Sequence, residues 1–80
     1  MMIKISKTNA FRLVSLLSAV NEEETANKIM QIIARSIKKD NANKGFSPYI
    51  EVYEKKEIKM LKQLSERYQN IISIKEEQGE

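Results

Sequence analysis

Between positions 10 and 20 the chain carries apolar side chains on nearly every side of a helix. Ala10, Phe11, Leu13, Val14, Leu16, Leu17, Ala19 and Val20 are apolar, and only Arg12, Ser15 and Ser18 interrupt them. Polar residues at every third position leave a narrow wet stripe, and such a helix requires cover on more than one side. The cover is scarce, because 80 residues build a single small core. A core of that size supplies only about 3–5 kcal/mol of net stability. The chain has no Cys and no His, so neither a disulfide nor a Cys/His zinc site can staple it. Two outcomes follow for this segment. It is the central core helix, or one flank, with Phe11 and Val14 as candidate contacts, packs on a second copy or on another protein. A homo-oligomer is therefore expected.

The rest of the chain supplies the other elements. Ile3 and Ile5 alternate with Lys4 and Ser6, the period-two pattern of a short strand over residues 2–6. Thr8 or Asn9 then caps a helix over about 9–20. Asn21, with Glu24 three positions on, reads as a capping box opening a second helix over about 22–38. Glu22, Glu23 and Glu24 favour its positive end, Lys38 and Lys39 its negative end. Ala26, Ile29, Met30, Ile33 and Ile37, widened by Ile32, form its apolar stripe. Residues 40–48 read as a loop in which Gly45 can take positive φ and Pro48 blocks a helix. Tyr49 to Tyr53 alternates again as a second strand, and a third helix spans about 54–72. On that helix Ile58, Leu61, Leu64, Tyr68, Ile71 and Ile72 share the apolar side. Ile3 to Leu17 and Ile50 to Leu64 also match in residue type at a constant offset without gaps, as two strand–helix units whose strands can pair. The expected fold is α+β, a single domain over 1–72 in the order β-α-α-β-α, with a short two-stranded sheet and three helices; an all-α three-helix bundle is the alternative. Residues 73–80 read as a polar, frayed tail.

Composition narrows function. His and Cys are the usual general base and the best intrinsic nucleophile, and both are missing. Carboxylate pairs need a partly dry pocket to separate their pKa values, and a chain this short offers little room for one. No enzymatic activity, cofactor, metal or small-molecule substrate is expected. No apolar run reaches the roughly 18–20 residues of a membrane span, and the N-terminus has no signal-peptide core, so a cytoplasmic location is expected. Abundant Lys, Ile, Asn and Glu with few Gly, Pro and Arg match an AT-rich coding sequence, as in phages and plasmids of low-GC bacteria.

Three constellations are candidates for binding. Lys55, Lys56, Lys59, Lys62 and Arg67 share one face of the third helix, a surface able to contact phosphates, although solvated basic faces are ordinary. Phe46 and Tyr49 flank the Ser47-Pro48 turn, placed either to cap the core or to anchor an interface. The strand-helix-helix order of residues 2–39 resembles the ribbon-helix-helix family of dimeric repressors, whose paired strands enter the DNA major groove. That resemblance would turn Lys4 and Ser6 outward and Ile3 and Ile5 inward. The Glu22–Glu24 cluster opposes it, since this family brings the same helix N-terminus to a phosphate, and it also opposes a helix-turn-helix. The reading is a non-enzymatic accessory or inhibitor that binds a protein partner or itself, with a small DNA-binding regulator as the alternative.

Overall fold

The computed structural model describes residues 2–69 and 75–77. The expected β-α-α-β-α order is present: β1 (Met2–Ser6), α1 (Lys7–Ala19), α2 (Glu23–Ala42), β2 (Tyr49–Val52) and α3 (Lys55–Arg67). The two strands pair antiparallel, with Ile3 opposite Val52 and Ile5 opposite Ile50. Because side chains alternate along each strand, this register puts all four on one face, and all four are buried. A further three-residue strand, β3 (Lys75–Glu77), pairs antiparallel with the other edge of β1. The sheet order is therefore β2-β1-β3, with β1 central. The reading of 73–80 as a polar tail did not anticipate β3, since three charged residues carry no strand signal of their own.

The three helices cover one face of the sheet. Ala10, Leu13 and Leu17 of α1, Ala26, Ile29, Ile32 and Ile33 of α2, and Ile58, Leu61 and Leu64 of α3 join the four strand residues in one core. Helix α1 is a core helix in its middle: Leu13 and Leu17 are fully buried, while Val14 and Leu16 are half-buried and pack against the core. The opposite sheet face is uncovered, with Tyr49 and Glu51 exposed on β2.

Several boundaries differ from the sequence reading, each for a local reason. Helix α1 starts at Lys7, earlier than expected, because Ser6 and not Thr8 or Asn9 is its cap: the Ser6 hydroxyl accepts from the Asn9 N–H at 3.0 Å. Asn21 does not cap α2. It takes φ of 62° and closes α1, with its N–H donating to the Ser18 carbonyl at 3.1 Å and that of Glu22 to Leu17 at 2.8 Å. This is a Schellman turn. An extended cap residue and a left-handed closing residue are incompatible, so Glu22 takes the cap position without a side-chain bond. The same motif ends α2 four residues later than expected, with Lys44 N–H donating to Asn41 at 3.2 Å and Gly45 N–H to Asp40 at 3.0 Å. The positive φ of 52° falls on Lys44, so Gly45 is not the left-handed residue. Helix α3 closes at Tyr68, short of the expected end. Ile71 and Ile72 lie outside the described residues.

Candidate functional site

The corner where α1 begins and α2 ends is built around Lys7. This residue is buried, and its ammonium is held by the Asp40 carboxylate and the Ser47 carbonyl. The ring of Phe46 lies over it, 4.0 Å from ring centroid to nitrogen, a cation–π contact. The Lys7 N–H donates to the Pro48 carbonyl at 2.9 Å, and Ser47 N–H approaches Asp40 at 3.4 Å. Together these tie the loop after α2 to the start of α1. Accepting from Lys7 holds the Asp40 carboxyl below its ordinary value; its bond from Ser47 and the nearby charges of Lys7 and Lys39 act in the same direction against partial desolvation. Phe46 does not cap the core: it is 79% exposed and covers a cation instead. Tyr49 also stays out of the core, because strand alternation sends its side chain to the uncovered face while Ile50 goes in.

The same corner fixes how α1 and α2 face one another. They run antiparallel from the tight turn at Asn21, with Lys7 level with Asp40. One helical turn forward along α1 and one back along α2 brings Phe11 level with Ile37. Two further turns bring Val14 level with Ile33, and Ser18 level with Met30. Phe11, Ile37 and Met30 remain 46%, 40% and 41% exposed. The outer flank of this hairpin is thus an apolar strip with half-buried Val14 in it. Arg12 lines a shallow pocket with Phe11, and Lys38 and Lys44, each one or two positions from Ile37 and Phe46 in sequence, are exposed. Phe11 and Val14 were legible as candidates from the over-apolar first helix. Met30 and Ile37 were not, because they belong to the apolar stripe of α2 and read as core. A stripe records which side faces inward but not how far the neighbouring helix reaches across it.

The basic face of α3 divides. Lys55, Lys59 and Lys62 border a shallow groove of about 460 Å³ with Tyr53, and the carboxylate-bearing Glu66 lines it as well. Lys56 is exposed toward the other flank, one residue on. Arg67 is engaged by Glu22 across the gap to α2 at 2.6 Å, a contact that lowers the Glu22 carboxyl and raises the Arg67 guanidinium. The five-residue basic face is therefore a three-lysine cluster plus two residues facing elsewhere.

Comparison with protein-family models, curated proteins and solved structures finds no match. Among the described residues no cluster of carboxylates suited to a metal ion occurs, and no helix is long and apolar enough to cross a membrane. The ribbon-helix-helix resemblance meets a specific obstacle in the sheet. A ribbon between two copies needs a free edge on β1, and β1 is paired on both sides within the chain.

Proposed function

We propose that this protein is a non-enzymatic cytoplasmic accessory or inhibitor that docks on another protein through the outer flank of the α1/α2 hairpin. The observation that carries this reading is the joint exposure of Phe11, Met30 and Ile37 on facing helices. Full burial of a large apolar side chain contributes about 1.5–3 kcal/mol, and a sizeable part of that gain is still available at each of the three. The rim adds direction. Arg12, Lys38 and Lys44 favour a partner whose apolar surface is bordered by carboxylates. They also disfavour the homo-oligomer expected from the sequence at this surface, since a twofold contact would bring the same basic rim against itself. The absence of His and Cys and the small size support a binding role, and the AT-rich composition suits a phage or mobile-element origin.

The test is affinity capture with the full chain against Phe11→Asp with Ile37→Asp, folding of both checked by circular dichroism. A stoichiometric protein captured by the native chain and lost with the folded variant is the expected result. Equal capture by both would exclude this surface.

A second reading has an observation of its own: the groove formed by Lys55, Lys59 and Lys62 beside Tyr53 offers phosphate contacts next to an aromatic face. On that reading the protein binds nucleic acid with an affinity falling steeply with salt, and Lys59→Glu with Lys62→Glu abolishes binding. A gel shift at low salt decides it.

A further inference from the structure

We propose that the outer edge of β2 is a receiving site for an extended, basic peptide segment of another protein, which adds to the sheet as a fourth strand. The ladder gives the first reason. Lys7 N–H donates to the Pro48 carbonyl, which continues the β1–β2 register by one step beyond Ser6 opposite Tyr49. Antiparallel pairs alternate between hydrogen-bonded and non-bonded, so Ile5 with Ile50 and Ile3 with Val52 are the bonded pairs. The backbone groups of Glu51 and the carbonyl of Tyr49 therefore point away from β1. On that side β2 has no neighbouring strand among the described residues.

The space beside the edge gives the second reason. A groove of about 530 Å³ runs between β2 and α2, with Ile32, Ile50 and Val52 among its lining and Arg35 and Lys39 on the helix side. Arg35 is already engaged by Glu57. An added strand would turn alternate side chains down toward the apolar lining and the others up beside Tyr49 and Glu51 on the uncovered face.

Charge selects the occupant. Glu51 of β2 and Glu54 just after it line the groove, Glu57 of α3 being already engaged by Arg35. Glu51, which faces Lys4 of β1, is best faced on its open side by a second Lys or Arg, since opposite charges across a strand pair stabilise and like charges do not. A second copy is disfavoured by the same rule. Of the two equally long antiparallel overlaps of two β2 edges, one sets Glu51 directly against its own counterpart and the other sets it against Tyr49, so neither gives it an opposite charge.

The experiment uses the full chain and three synthetic peptides of one alternating Val/Thr sequence that carry Lys, Ala or Glu at the central upward position. The expected order of affinity is Lys above Ala above Glu, with the Lys and Glu peptides differing by about fivefold or more. In Glu51→Lys the order reverses. The Lys peptide slows hydrogen exchange at the Glu51 amide, and Glu51→Pro, which removes that outward donor at an edge position where Pro is tolerated, lowers its affinity at least tenfold. Exchange at the Glu51 amide of the native chain is a readout independent of whether the Pro variant folds. Affinity indifferent to peptide charge, no binding at millimolar peptide, or a dimer by ultracentrifugation that Glu51→Lys strengthens or Glu51→Pro dissolves would overturn the proposal. The Phe11 and Ile37 variants leave this edge intact, so the two surfaces fail or stand separately.

Discussion

The ammonium of Lys7, at the first position of α1, is held by the carboxylate of Asp40 in the last turns of α2. Each charge sits at the end of its helix that its dipole disfavours, a cation at an N-terminus and an anion near a C-terminus. The antiparallel hairpin brings the two together, so each offsets the other's unfavourable position. Removing one partner leaves the other charge without its counterpart in a largely buried corner. Lys7→Met is expected to lower Tm by roughly 5 °C or more. The double change Lys7→Met with Asp40→Leu should recover much of that loss. Thermal melts of the native chain, both single variants and the double variant check this coupling, and strictly additive losses would refute it.

Acid stability follows from the same carboxylate. The Asp40 carboxyl is lowered from its ordinary value of 3.8, first by its bond from Lys7. A lowered native pKa means that the unfolded chain binds the proton more readily, so this contribution is complete above the ordinary value. It is lost as pH falls through the lowered native one. Stability should therefore drop below about pH 4 more steeply in the native chain than in Asp40→Asn. Urea melts across pH 2–7 measure this, and parallel curves for the two proteins would contradict it. Glu22, half-buried and lowered by the exposed Arg67, should add a smaller share that salt removes.

Lys44 holds a left-handed conformation with φ of 52° at the end of α2. That conformation costs a non-glycine residue roughly 1–2 kcal/mol, and glycine returns about 0.4–1 kcal/mol of this through the entropy of the unfolded chain. Lys44→Gly is expected to stabilise by about 0.5–1 kcal/mol. Asn21→Gly should gain less, because Asn tolerates this region better than Lys does. Denaturant midpoints for the two variants provide the comparison.

The fold was legible where one residue type forces one choice. Ile3 and Ile5 alternating with Lys4 and Ser6, and Ile50 and Val52 alternating with their neighbours, set both strands and their common inner face. Turn chemistry was less legible. Asn21 satisfies the pattern of a cap that opens a helix and of a residue that closes one, and only the chain path decides between them. Lys7 and Asp40 were invisible as a pair, because each looks misplaced on its own helix and they stand far apart in sequence. The exposed apolar strip was half legible: Phe11 and Val14 follow from the excess of apolar residues in α1, whereas the exposure of Met30 and Ile37 depends on how α1 lies across α2.

Docking of a protein partner on the α1/α2 flank is open to site-specific photo-crosslinking in the native host. A photoreactive phenylalanine analogue is placed in the full chain at position 11, at position 37, or at position 59 on the basic face of α3. One shared protein adduct at positions 11 and 37 and none at position 59 is expected. Adducts confined to position 59, or a position 11 adduct consisting only of a second copy of this chain, would contradict it.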